Sequence, residues 1–388
     1  MAGCSFHKRF GIPLKQSNEQ LSIGLSELQA RLQKPMGKEA SLYRVTQQGR
    51  IQCTACARYC QLSEGQIGFC GVRGVVNGKL WLLVYGKVIA GHIDPIEKKP
   101  VMHYRPGSKI FSIATTGCSW RCLYCQNADI SQRRKVEGVD VTPEQVVEMA
   151  SERGCEGIAY TYNQPTIFIE YARDVGKLAH KKGLFNIFVS NGYDTPDTVS
   201  AMSEFLDCVT VDFKGNGEKN FVRKYISIPD AEPIFQSLLE MKNKTKIHIE
   251  ITDLVVPQVG DNLDAARRLA RWVYDNLGPD TPMHFLKFHP DYKMMNLPST
   301  PLETLEKHYE IAKQEGLRYV YIGNVPGHPA ENTYCPACSS ILIRRVGYYI
   351  LAYNLDDRNR CKFCGYQTPI VGPLSKSVFE ERFQPVIN

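Results

Sequence analysis

Cys118, Cys122 and Cys125 stand in the spacing C-x3-C-x2-C, within Phe111-Ser-Ile-Ala-Thr-Thr-Gly-Cys118-Ser-Trp-Arg-Cys122-Leu-Tyr-Cys125-Gln-Asn127. Three thiolates that close together on one loop are ligands for a metal centre. A 4Fe–4S cluster normally takes four cysteines. Three from the protein leave one iron without a protein ligand, and an open coordination position is where a substrate binds. The competing reading is a zinc knuckle whose fourth ligand lies elsewhere in the chain.

Eight more cysteines fall into two groups. Cys335-x2-Cys338 and Cys361-x2-Cys364 form a paired array with β-prone text between the pairs, which is the pattern of a zinc ribbon. Four thiolates fill a tetrahedral zinc and leave nothing open for catalysis. A small terminal unit has a thin core, so the metal would carry much of its folding energy. Cys53-x2-Cys56-x3-Cys60-x9-Cys70 is ambiguous, with zinc narrowly favoured. Its ligand count fits zinc, bracing the fold, and its spacing also fits an auxiliary iron–sulfur cluster that relays electrons. Cys4, Cys155 and Cys208 stand alone, and single cysteines are usually buried small hydrophobes.

The elements that must position these groups follow from hydrophobic period. From about residue 106, short β-branched runs alternate with amphipathic helical runs. The strands are expected at Ile110–Thr115, Gly157–Tyr162, Phe185–Ser190, Cys208–Asp212, Ile247–Val256, His284–Phe288 and Tyr319–Ile322. Thr142, Pro143 and Gln145 form a helix start with a capping box, and Thr300, Pro301 and Glu303 repeat that signal before a helix running to Gly316. Such alternation implies a parallel sheet, here a partial (β/α) barrel of about six strands, whose chemistry sits at the strands' C-terminal ends. The chain divides into a helical lead-in over 1–40, with the helix around Glu19–Leu32, and a four-cysteine metal-binding region over 41–105, β-rich at Lys79–His92. A catalytic core over 106–330 and a zinc-ribbon-like unit over 331–388 follow.

The central motif, directly after the first strand of the array, resembles the signature of the radical S-adenosylmethionine (SAM) superfamily. The resemblance implies that the open iron chelates the amino and carboxylate groups of SAM. An electron from the reduced cluster then breaks the S–C5′ bond, giving methionine and a 5′-deoxyadenosyl radical that abstracts hydrogen from a substrate. Tyr124 matches the aromatic that packs near the adenine. Further segments agree in order and spacing: Cys53–Arg73 (CTACARYCQLSEGQIGFCGVR), Val84-Tyr-Gly, Asp94-Pro-Ile-Glu-Lys-Lys-Pro100, Ala159–Thr166, Phe288-His-Pro-Asp-Tyr-Lys293, Gly323-Asn-Val-Pro-Gly-His328 and Asn332-Thr-Tyr-Cys335-Pro-Ala-Cys338. Over roughly residues 40–370 they resemble the AmmeMemoRadiSam-system radical SAM enzymes, which are similar to pyruvate formate-lyase activating enzymes. The partners so implied are SAM, a low-potential electron donor such as ferredoxin or flavodoxin, and a substrate that includes the option of a protein loop. A shared fold does not by itself set the substrate.

With that resemblance in place, the other strand ends gain candidate roles. Asn163 and Gln164, in Tyr160-Thr-Tyr-Asn163-Gln164-Pro165-Thr166, stand where such enzymes carry the Gly-Gly-Glu-Pro-like segment that receives the SAM amino group. Many relatives have Glu at the position of Gln164; an amide accepts a hydrogen bond but supplies no charge. Ser190 and Asn191 are placed to bind the ribose or the methionyl carboxylate. Asp212 and Lys214 are placed to bond a hydroxyl and a carboxylate, against the plainer reading of a surface ion pair. Asp253, His284, Lys287, His289 and Asp291 are weaker candidates for substrate contact.

The net charge of +7 is spread along the chain, and its densest basic runs are not interleaved with aromatics, so nucleic acid is not the expected partner. There is no apolar run long enough to cross a membrane and no signal-peptide core at Met1–Gln16, so the expected setting is cytoplasmic. Two other readings compete: a zinc-binding, nucleic-acid-associated protein, and a radical SAM fold kept as a scaffold without turnover.

Overall fold

A computed structural model describes residues 37–387; the helix expected around Glu19–Leu32 lies outside the described residues. Seven parallel strands form the centre: β1 (Lys109–Ala114), β2 (Gly157–Tyr160), β3 (Phe185–Ser190), β4 (Cys208–Lys214), β5 (His248–Val255), β6 (Met283–Lys287) and β7 (Val320–Gly323). They lie side by side in sequence order. That order lacks the reversal of a doubly wound sheet and is the order of an incompletely closed (β/α) barrel. β1 and β2 are buried along their whole length, as strands covered on both faces must be.

Two antiparallel strands complete this sheet on the β1 side. Ala90–Pro95 pairs with β1, and Gln384–Ile387 pairs with Ala90–Pro95. Pro385 is tolerated there because an edge strand need not donate from every residue.

The helix Pro143–Glu152 starts as expected, with a capping box between Thr142 and Gln145. The second start signal is read differently by the fold. The helix Leu302–Gln314 has Pro301 at its N-cap with no side-chain cap, and ends before Gly316. Thr300 is buried, donates to the Val255 carbonyl at 2.7 Å and accepts from the Phe288 amide at 2.8 Å. Its hydroxyl joins the ends of β5 and β6 instead of capping the helix.

The first cysteine group sits on two small antiparallel sheets, Tyr43–Val45 with Ile51–Cys53 and Gln61–Leu62, and Lys38–Glu39 with Lys79–Leu82 and Arg73–Val76. The last group sits on a third, Thr333–Tyr334 with Ile341–Val346 and Tyr349–Tyr353. Among the described residues no helix is long and apolar enough to cross a membrane.

Candidate functional site

The segment after β1 carries Cys118, Cys122 and Cys125, and its backbone is anchored to loops from other strands. Arg121 and Leu123 donate to the carbonyls of Ile226 and Tyr225, which follow β4. Lys293, after β6, donates to the Leu123 carbonyl at 2.8 Å. Asn127 donates from Nδ2 to Tyr162, just past β2, at 3.0 Å. A cysteine loop whose hydrogen bonds go to three neighbouring strand ends is fixed over the C-terminal mouth of the sheet.

Burial pushes the Cys118 thiol up to about 11, opposed by the Trp120 amide, and pushes the Cys122 thiol well above its usual value, opposed by Lys214. Loading a metal here therefore displaces protons. Lys214 lies in this field. Burial pushes its ammonium down, but Asp212 and the thiols of Cys122 and Cys125 hold it above its usual value. Its Nζ pairs with Asp212 Oδ2 at 3.1 Å, and Thr252 bonds the same carboxylate.

Gln164, Ser190 and Asn191 are occupied within the protein. Gln164 Nε2 donates to Thr166 Oγ1 at 2.7 Å and Ser190 Oγ at 2.9 Å, while its Oε1 accepts from the Asn191 amide at 2.7 Å. Asn191 Nδ2 reaches Ser119 Oγ at 3.1 Å. These side chains tie the ends of β2 and β3 to the cysteine loop. Asn163 is different. Its Nδ2 donates to the Gly117 carbonyl at 2.9 Å, which orients the amide, and its buried Oδ1 has no partner. Tyr124 Oη and Asp253 Oδ2 are likewise buried and unpartnered. Buried polar groups are nearly always satisfied, so three orphans at one strand-end face mark a place for a polar ligand.

Asp253 is buried and accepts from the Asn216 amide at 3.0 Å; burial lifts its carboxyl to about 7. Lys287 ends β6, with His289 exposed and Asp291 half-buried beyond it. His284 is at the other end of the sheet. It is the second residue of β6, and it bonds Glu250 Oε2 at 2.7 Å. Glu250 also accepts from the amides of Met102 and His103, so His284 belongs to a buried structural network.

Asp194 was not singled out from sequence. It is buried four residues past the end of β3 and accepts from Gln164, Thr166 and Ser190. The only cue was an acid shortly after Asn191-Gly192 at a strand end.

Cys335, Cys338, Cys361 and Cys364 form a compact set with all four sulfurs within 4.8 Å of one another. Cys335 and Cys364 are 3.6 Å apart, and Cys338 and Cys361 are 3.8 Å apart. All cysteines among the described residues are free thiols.

The sequence profile of the Radical SAM superfamily matches residues 112–273. An uncharacterized protein of Methanocaldococcus jannaschii is 42% identical over 337 residues, covering 86% of this chain and 99% of that protein. The pyruvate formate-lyase 1-activating enzyme of Escherichia coli is 24% identical over 229 residues, covering 53% of this chain and 89% of its own. A solved radical SAM methyltransferase from Sphaerobacter thermophilus is 13% identical with a TM-score of 0.45, covering 56% of this chain and 67% of that one.

Proposed function

The chain belongs to the radical SAM superfamily, and on that premise we propose that Cys118, Cys122 and Cys125 hold a 4Fe–4S cluster whose fourth iron binds SAM. The observation that carries this reading is the fixed three-thiol loop beside the unpartnered buried atoms Asn163 Oδ1, Tyr124 Oη and Asp253 Oδ2. The donor set fits the group: three thiols for iron, and neutral and acidic oxygens for the amino acid and nucleoside parts of SAM. Bound there and reduced, the cluster supplies the electron that cleaves SAM to methionine and a 5′-deoxyadenosyl radical, which takes hydrogen from a substrate.

This chain's residues then have distinct tasks. Asn163 Oδ1 is the acceptor for the SAM ammonium, since it is free where Gln164 Oε1 is engaged. Tyr124 lies between Phe221 and Phe288, with ring centroids 5.9 and 6.0 Å away, and offers an aromatic wall to the adenine. Lys214 pairs with the methionyl carboxylate and Asp212 with a ribose hydroxyl. Gln164, Ser190 and Asn191 hold the loops in register and keep water out.

The electron comes from a low-potential donor such as ferredoxin or flavodoxin. Similarity to an activating enzyme supports a protein as the hydrogen donor. In the terminal unit we assign structural zinc to Cys335, Cys338, Cys361 and Cys364. Their 3.6 and 3.8 Å separations match the sulfur–sulfur edge of about 3.8 Å that tetrahedral geometry gives for zinc–thiolate bonds. Residues 106–330 carry the chemistry in this reading, in a cytoplasmic setting that keeps the thiols reduced.

The test is anaerobic purification. The protein should be brown, its reduced cluster should give an EPR signal, and added SAM should change that signal. A colourless protein holding only zinc contradicts the proposal.

A further inference from the structure

We propose that Cys53, Cys56, Cys60 and Cys70 hold a second iron–sulfur cluster, ligated entirely by cysteine, that passes electrons to the site at Cys118, Cys122 and Cys125. The first argument is spacing. A single tetrahedral zinc draws its four sulfurs to about 3.8 Å from one another. The terminal set shows that arrangement, with all ligand atoms inside 4.8 Å. Neither three sulfurs of the Cys53–Cys70 set nor the three of the central triad lie mutually within that limit among the described residues. A cubane cluster binds each thiolate to a different iron and so holds the sulfurs farther apart. The first group thus lacks the tight spacing of the zinc-type set.

The second argument is convergence. The four cysteines line one hollow, whose wall includes Arg58 and Ser119. Cys53 and Cys70 are buried, while Cys56 and Cys60 are half-buried and give a donor protein an approach. Cys53 and Cys60 are held in place across a hairpin connection, with the Cys53 amide donating to the Cys60 carbonyl at 2.9 Å.

The third argument is adjacency. Gly117, the residue before Cys118, lies so close to the Cys70 carbonyl that no side chain would fit between them. Arg58 donates to the Ser119 carbonyl, and its charge acts on Cys56 and Cys60 as well as Cys118. Arg58, Arg121 and Arg134 gather on the Phe69 ring, 3.4, 4.7 and 4.2 Å from its centroid. This positive charge between the two groups offsets the negative charge of two thiolate-ligated centres.

The electron balance is simple. A low-potential one-electron donor protein gives one electron to the closed cluster. The same electron then moves to the site-open cluster and restores the first to its starting state; no bond or proton changes. The relay role rests on the radical reading above, whereas the ligand assignment does not.

The experiment is metal analysis and EPR of the full chain, reconstituted anaerobically with iron and sulfide, beside the Cys118→Ala/Cys122→Ala/Cys125→Ala variant. Wild type should hold about eight irons and the variant about four, as for two clusters and one. The variant's reduced signal should ignore SAM, and each protein should hold about one zinc, from the terminal set. A variant with no iron and about two zincs overturns the proposal. If the variant fails to fold, wild type alone decides: about four irons with about two zincs overturns this inference and leaves the radical reading standing. Wild type without iron overturns both.

Discussion

Gln164 Nε2 lies 3.2 Å from Asp194 Oδ1, with both side chains buried. The neutral amide, at the position where the family resemblance implied a carboxylate, therefore has an acidic neighbour that explains it. A glutamate at 164 would face a second carboxylate, and two such groups in contact cannot both ionise without cost. Gln164→Glu should destabilise the protein by about 1–3 kcal/mol, through the lost hydrogen bond and the unpaired charge. The loss should be greater at pH 8 than at pH 5, where one carboxyl is protonated. Thermal melts at the two pH values measure this. A variant as stable as wild type at pH 8 would show that Asp194 does not set the choice.

Asp194 itself makes stability depend on pH. Burial raises its carboxyl to about 6, against the opposing bonds from Thr166, Ser190 and Gln164. A folded-state value above the unfolded one means that its contribution is fully present below about pH 4 and is lost as pH rises through 6, by an amount of order 3 kcal/mol. Asp194→Asn should remove that slope. Denaturant titrations of both proteins from acid to neutral pH should give a stability difference that shifts steadily in favour of the variant as pH rises. A difference independent of pH contradicts the assignment.

Gly117 has φ +89°, and a Cβ there would collide with the Cys70 carbonyl and lie 2.9 Å from Val72 Cγ1. Gly117→Ala should cost more than about 1–3 kcal/mol, since both strain and clash act on backbone that cannot move aside. Iron content measured after reconstitution should fall together with the melting temperature. Full iron loading at wild-type stability would mean that the two cysteine loops are not rigidly joined.

Arg73 and Glu170 form a buried ion pair that joins the first cysteine region to the barrel, with Arg73 Nε also donating to the Ile167 carbonyl at 2.8 Å. Removing one partner leaves an uncompensated buried charge, so Arg73→Met should cost about 3–5 kcal/mol. The double variant with Glu170→Leu should recover much of that loss. Equilibrium unfolding of the single and double variants checks the sign. A double variant worse than the single would contradict an electrostatic origin.

The barrel was legible in the sequence for a physical reason. Its strands are largely covered on both faces, so they read as short runs rich in apolar and β-branched residues between helical segments, and all seven expected runs correspond to strands. The triad was legible because ligand spacing within one loop is a sequence property. What sequence spacing does not encode is distance between side chains. On spacing alone Cys53–Cys70 reads narrowly as zinc before iron–sulfur, and only the fold shows that its sulfurs lie outside the tight arrangement of the terminal set. Asp194 and the engagement of Gln164 depend on β2 and β3 lying side by side. Thr300 carried a helix-start signal, yet its hydroxyl found partners in two strand ends. Gln384–Ile387 is short, largely exposed and contains a proline, so nothing marked it as part of the sheet.

The central claim is most directly tested by reductive cleavage. Anaerobically reconstituted protein, reduced with dithionite and given SAM, should release 5′-deoxyadenosine and methionine, detected by liquid chromatography and mass spectrometry. The Cys118→Ala/Cys122→Ala/Cys125→Ala variant should release neither. An intact, reducible cluster that binds SAM and yields no 5′-deoxyadenosine would contradict the account.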